Sequence, residues 1–288
     1  MIGKKLAITI DLEDWFQVET LRERFPVKSW STDYVRFQEP LERLLRIFDA
    51  FEIKATFFVL GWIAERYPGL IKLINNAGHE IASHGMSHVM NSLSTDEEIL
   101  DELIDSKKLL EDIIGNEVIG YRAPSFSISD NVLKMIAVAG YKYDSSYFPF
   151  SMNKKYGKLS MSSKKETLPN GLIEFSIPMA SFFGKNIPFA GGAYFRFLPI
   201  WLFKKLLTRA NSDIVVLYFH PWEFDPDQPK VSELKLRSKI RHYYGLTRNL
   251  RKMEKTLFFA KKESMRFYTL NKYLESMKLE ISYPENVR

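Results

Sequence analysis

Leu6-Ala7-Ile8-Thr9-Ile10 runs directly into Asp11-Leu12-Glu13-Asp14, so a short apolar, β-branched segment ends on a cluster of carboxylates. A run of this length, stopped by charge, reads as a buried strand. The preceding Met1-Ile2-Gly3-Lys4-Lys5 gives the segment the outline of a secretory leader. The apolar run, however, stops at Asp11 after about half the length that a leader's core requires. A strand is therefore the reading, and without a leader the expected compartment is the cytoplasm. Working outward, Pro40 to Phe51 places Leu41, Leu44, Leu45 and Phe48 at helical spacing, and Ala55 to Val59 is strand-like again. Strand, helix and strand in that order form a unit whose two strands run parallel.

The alternation continues along the chain. Pro68 to Ala77 reads as a helix closed by Gly78, Glu80 to Ser83 as a strand, and Thr95 to Ile114 as a helix that stops at Gly115. Thr95 and Glu98 have the spacing of a capping box. Val118 to Tyr121, a helix over Asn131 to Ala139, Tyr141 to Tyr143, Ile173 to Ile177, a helix near Pro199 to Arg209 and Ile214 to Phe219 complete the series. The fold class is α/β: about seven parallel strands over residues 1–225, in a sheet left open or closed into a barrel. Residues 226–288 form a basic, mainly helical C-terminal extension packed on that barrel, with Leu246 to Ala260 in helical register. Phe148 to Leu172, rich in Ser, Lys and Asn, looks like a long excursion from the sheet.

Composition narrows the chemistry. The 288 residues contain no cysteine, which excludes a disulfide framework, a thiolate metal site and a cysteine nucleophile. Any metal must be held by histidine, carboxylate or water. No stretch approaches the roughly 18 uncharged apolar residues of a membrane span. The net charge of +6 is unevenly placed. Lys230 to Arg266 has 12 Lys/Arg against 3 Asp/Glu, a local surplus of 9, which leaves the rest of the chain at −3. The extension is read as a covering or assembly element, with homo-oligomer formation through it left open and no nucleic-acid partner expected.

Each strand end holds a polar group able to do chemistry. Asp11, Glu13 and Asp14 follow the first strand, His84 and His88 the third, Arg122 the fourth, Asp144 the fifth and His220 the last. In parallel α/β folds the loops at the carboxyl ends of the strands converge on one rim, where active sites form. His84-Gly85-Met86-Ser87-His88 has the spacing of two ligands converging on one ion, and the acidic cluster offers a third. Two histidines and a carboxylate leave coordination positions open, as in a catalytic metal site. Alternation along a strand favours Glu13 as that third ligand, whereas a bulge or turn would present Asp14 instead. A spare carboxylate beside the ion fits a hydrolytic base, and His220 fits a general acid.

As a set these motifs resemble the polysaccharide deacetylases, carbohydrate esterases that include chitin and peptidoglycan deacetylases, and the resemblance implies a distorted (β/α) barrel of about seven parallel strands. The resemblance rests on Thr9-Ile10-Asp11 with its following acids, Ser83-His84-Gly85-Met86-Ser87-His88, Gly120-Tyr121-Arg122-Ala123-Pro124 and Leu217-Tyr218-Phe219-His220. Trp15-Phe16 and Arg241-His242-Tyr243-Tyr244 are similar to members associated with exopolysaccharide clusters, and a bacterial host is implied. By this resemblance Asp11 is the base, Arg122 orients it, His220 is the acid and Asp144 tunes that acid. Glu13, Asp14, His84 and His88 are the metal ligand candidates, and Trp15, Tyr121, Pro124 and Trp222 the substrate-binding ones.

The implied cofactor is a divalent metal, Zn2+ by default, with Co2+, Ni2+ or Mn2+ as substitutes. The implied activity is amidohydrolysis of a linear C–N bond, removing N-acetyl groups from an amino sugar in a polysaccharide, oligosaccharide or glycan precursor. Two alternatives remain: hydrolysis of a small cyclic amide or ureide of the allantoin kind on the same scaffold, and an inactive carbohydrate-binding homologue. The intervening Leu12 departs from the usual pair of adjacent aspartates in the first motif, and Tyr143-Asp144-Ser145 matches the fourth only loosely.

Overall fold

β1 (Lys5–Leu12) is the centre of the molecule. All of its residues except Lys5 are buried, as expected of a strand covered on both faces. The computed structural model describes residues 3–149, 167–168 and 171–282, with side chains to Met277; most of the Ser/Lys/Asn-rich stretch lies outside the described residues.

From β1 the chain passes through α1 (Gln38–Ala50) to β2 (Thr56–Val59), then through α2 (Gly61–Arg66) and α3 (Pro68–Asn76) to β3 (Glu80–Ser83). α4 (Asp96–Ile114) leads to β4 (Gly120–Tyr121), α5 (Asp130–Val138) to β5 (Tyr143–Asp144), and β6 (Ile173–Glu174) follows. A small antiparallel hairpin comes next, β7 (Met179–Phe182) with β8 (Lys185–Pro188). Then come α6 (Gly192–Phe197), α7 (Ile200–Thr208), β9 (Ile214–Phe219), α8 (Leu236–Tyr243), α9 (Leu246–Lys262), β10 (Arg266–Phe267) and α10 (Leu270–Ser282).

β1 through β6 pair in sequence order, all parallel, and β9 lies along the other edge of β1 with Ile8 opposite Leu217. These seven strands are the parallel set expected from the sequence. Helix signals hold where they were read. Thr95 caps α4 with a reciprocal Glu98 bond, and Gly115 ends it at φ +70°.

The extension adds to the sheet as well as covering it. Besides its helices α8, α9 and α10 it contributes a strand, since β10 joins the main sheet and pairs Lys5 with Arg266 and Leu6 with Phe267. β1 thus shares one edge between β10 at its start and β2 from Thr9 onward. A two-residue strand carries too little periodicity to be read in advance. Met253, Leu257, Ala260, Leu270 and Tyr273 are buried, so the extension closes the core of the sheet. Among the described residues no helix is long and apolar enough to cross a membrane.

Candidate active site

β1 delivers the first two carboxylates. Just beyond the strand the Glu13 amide donates to the Asp11 carbonyl at 3.0 Å, a three-residue turn, and Asp11 and Glu13 line one cleft. Asp14 points elsewhere. Its carboxylate accepts from the backbone amides of Trp15 (2.7 Å), Arg36 (2.6 Å) and Phe37 (3.1 Å), tying the β1 exit to the start of α1. Burial pushes its carboxyl up to about 6 against those three donors.

Asp11 is held by Arg122, which is fully buried. The guanidinium donates from Nη1 to Asp11 Oδ1 at 2.7 Å and to Thr9 Oγ1 at 2.8 Å, from Nε to the Ser145 carbonyl at 2.9 Å and from Nη2 to Ser145 Oγ at 2.8 Å. Its face lies 4.0 Å from the Phe58 ring. A buried cation needs such a full set of partners, and here they fix the rotamer of Asp11.

The turn from His84 to His88 is latched from outside. The Gly61 and Trp62 amides, unbonded donors at the start of α2, donate to the carbonyls of Gly85 and Met86 at 2.8 and 3.0 Å. Glu102 of α4 accepts from the Met86 amide at 3.2 Å and from the Ser87 hydroxyl. Gly85 sits at φ +75°, where a side chain would be strained. His84 Nδ1 lies 2.7 Å from the Arg122 carbonyl, which assigns the proton to Nδ1 and leaves Nε2 as a lone-pair donor. Burial pushes this imidazole down to about 4, so it is neutral at neutral pH.

Glu13, His84 and His88 offer ligand atoms within 4.8 Å of one another, all buried. Oε2 of Glu13 approaches Nε2 of His88 to 2.7 Å, both atoms buried. Three buried ligand atoms converging on one point fit a cation. The donor set of two imidazoles and one carboxylate suits a divalent transition metal.

His220 faces the cluster across the cleft, its Nε2 3.7 Å from Asp11 Oδ2 and 3.5 Å from Glu13 Oε1. Its other nitrogen, Nδ1, is 3.1 Å from Glu223 Oε2. Desolvation opposes a charge here, but the carboxylates of Glu13, Glu223 and Asp11 outweigh it and raise the imidazole to about 9. Glu223, fully buried, is gripped by Arg196, which donates from Nε to Oε1 at 3.1 Å. Gly192 makes room for it, since a Cβ there would sit 1.7 Å from Glu223 Oε2.

Arg196 also donates to the carbonyls of Arg241, His242 and Tyr244. The extension thus reaches the acid site. The His242 ring stacks on Trp222 at 4.6 Å, and Trp222 Nε1 donates to Glu13 Oε1 at 3.2 Å.

The site thus brings together Asp11, Glu13, His84, His88, Arg122 and His220. Asp144 belongs to another cluster. It accepts from the Ser146 amide and hydroxyl at 2.9 and 2.7 Å, while Glu223 occupies the place on His220 that the sequence reading gave to Asp144. Among the aromatic candidates Trp222 lines the cleft. Trp15 is buried with its indole N–H on the Tyr34 carbonyl, and Tyr121 and Pro124 are buried and do not line the cleft. Phe126, Tyr218 and Met90 line the cleft instead. Glu223, Arg196 and His242 were missed; for Glu223 the one available signal was its position three residues after His220.

Comparison with known proteins accounts for this arrangement. Residues 31–143 match the polysaccharide deacetylase family model, and residues 145–275 match a domain of unknown function, DUF3473. A peptidoglycan-N-acetylglucosamine deacetylase of Bacillus cereus is 35% identical over 35% of this chain and 46% of its own length. A peptidoglycan deacetylase of Helicobacter pylori is 34% identical over 37% of this chain and 36% of its own. The chain therefore spans less than half the length of these two relatives.

Among solved structures, a peptidoglycan N-acetylglucosamine deacetylase superposes with a TM-score of 0.56 at 17% identity, covering 94% of this chain and 89% of the other. A family 4 carbohydrate esterase pseudoenzyme from Bacillus anthracis reaches the same TM-score at 14% identity, covering 94% and 65%. At such identity the likeness is one of fold, and the neighbours include an inactive protein, so activity must be argued from the side chains. The matched residues 31–143, the motif set and the parallel sheet together make this chain similar to the polysaccharide deacetylases.

Proposed function

We propose that the protein is a metal-dependent hydrolase that removes the N-acetyl group from an amino sugar of a glycan. The observation that carries this reading is the convergence in one cleft of a three-ligand cluster, an Arg-held aspartate and a carboxylate-held histidine. Glu13, His84 and His88 would hold the ion, with zinc the default for this donor set. When bound, it supplies Lewis acidity toward a carbonyl oxygen and toward water.

The chain's own groups account for the proton transfers. Asp11, with one oxygen fixed by Arg122, takes a proton from the attacking water with its free Oδ2. His220, with Nδ1 tied to Glu223, keeps Nε2 toward the cleft and gives its proton to the departing nitrogen. Water adds to the acetyl carbon, the C–N bond breaks, and acetate and a free amine leave. Phe126 and Tyr218 line the cleft and supply apolar surface for a sugar ring, while Trp222, stacked against His220 and His242, braces the wall. The relatives' peptidoglycan names and the resemblance to exopolysaccharide-linked members both point to polymeric N-acetylated substrate.

Acetate release from N-acetylglucosamine oligomers, measured with zinc or cobalt and again with chelator, tests this. The parent should release acetate only with metal, and Asp11→Asn and His84→Ala should each lose at least about a hundredfold in kcat. No release by the metal-loaded parent from any N-acetylated glycan would overturn the reading.

A further inference from the structure

Beside the catalytic cleft lies a larger cavity, about 710 Å3, whose walls come from α6, the turn after it and one face of α9. Arg196 lines both spaces, so the two are neighbours across α6. The charge of this second groove has one sign. Arg196, Arg248, Arg251, Lys252 and Lys255 line it, and no carboxylate does. On α9 the positions 248, 251, 252 and 255 follow helical spacing and form a single stripe.

Two of these cations are committed to the protein. Arg196 is spent on Glu223 and three carbonyls, and Lys252 donates to the carbonyls of Phe195 and Leu198 at the end of α6. Arg248, Arg251 and Lys255 are exposed, and no ion pair involves any of them among the described residues. Three like charges along one wall repel one another, a cost that an anionic ligand would relieve. The groove also contains a flat apolar element. Phe197 and Tyr244 stack with ring centroids 4.7 Å apart and a 5° tilt, yet remain 41% and 49% exposed.

We propose that this groove is a second binding site, for an acidic stretch of glycan that lies across α6 from the sugar being deacetylated. Guanidinium and ammonium groups recognise carboxylate or sulfate substituents, and the ring pair offers a face for a pyranose. A concave channel next to a catalytic cleft suits a single polymer chain better than a lipid surface, which would require an outward-facing patch. The choice of a glycan over a nucleic acid rests on the proposed deacetylase reading; the anion site itself does not.

Binding should be measured by calorimetry on the full chain, with no turnover required, so that failure of the deacetylase reading leaves the result interpretable. The probes are polygalacturonate, neutral N-acetylglucosamine oligomers, polyuridylate, and vesicles containing phosphatidylserine. Polygalacturonate should bind, and its affinity should fall about tenfold when salt rises from about 50 to about 300 mM. The variant Arg248→Gln/Arg251→Gln/Lys255→Gln should lose about tenfold more, while Arg248→Lys/Arg251→Lys retains most of the affinity. Melting temperatures of both variants, matching that of the parent, exclude unfolding as the cause. Absence of polygalacturonate binding, an undiminished affinity in the Gln variant, or tighter binding of polyuridylate or vesicles would each overturn the proposal.

Discussion

Glu13 and Asp14 are neighbours in sequence with different assignments. One ends in a lone pair aimed at two imidazoles, the other in three backbone amides. Glu13→Ala should therefore lower zinc affinity by more than about a hundredfold, beyond what removal of a ligand's supporting partner costs, while the fold survives. Asp14→Ala should keep zinc affinity within a few-fold but lose about 2–4 kcal/mol of stability, because buried amides lose their acceptor. Zinc titration and chemical denaturation of both variants read these outcomes; a reversed pattern would reassign the third ligand. Asp11, His84, His88, Arg122 and His220 were legible because each ends a strand in a local motif. Arg196 was not, since its partners lie 27 to 48 residues further along the chain.

At the scale of elements, β5 and β6 pair Asp144 with Glu174 across adjacent strands, both fully buried. Burial, and then the neighbouring Asp144 carboxyl, raise Glu174 well above the ordinary carboxylate range, so it keeps a proton in the folded state. The unfolded chain releases that proton near the ordinary value of about 4.3. Between that value and the raised folded one the native state binds more protons, so stability declines as pH rises through the window. Glu174→Gln keeps the shape and a donor toward Asp144 without the ionisation. Its melting temperature should be flatter than the parent's from about pH 5 to 8, with the advantage growing toward the alkaline end. Parallel pH–melting profiles of the two proteins would refute this shared-proton account. Both strands were read from the sequence, but the pairing of the two carboxyls was not legible because 30 residues separate Asp144 from Glu174 along the chain.

For the whole molecule, the division at residue 225 read from composition marks a change of charge, with no break in the core at that point. Asn249 donates to the Glu223 carbonyl at 2.9 Å, His242 stacks on Trp222, and β10 completes the sheet. A chain ending at Pro229 should therefore lose the cooperative thermal transition of the full protein and its zinc affinity together. Calorimetry of the truncated chain checks this, and a sharp transition near the parental temperature would show that residues 1–229 fold alone. The basic surplus of the extension says where the charge lies; the buried Met253, Leu257 and Tyr273 say why the extension cannot be dispensable.

β1 carries a further consequence. It is made first, yet its long partner β9 and its short partner β10 are made more than 200 residues later, as the Lys5 pairings with Ile214 and Arg266 require. At elongation rates of about 5–20 residues per second the ribosome takes roughly 10–50 s to deliver them. Throughout that interval the buried central strand of the protein emerges with one whole edge unclaimed. Synthesis of this chain thus creates a predictable demand for a holding chaperone, and slowing translation would lengthen the exposure.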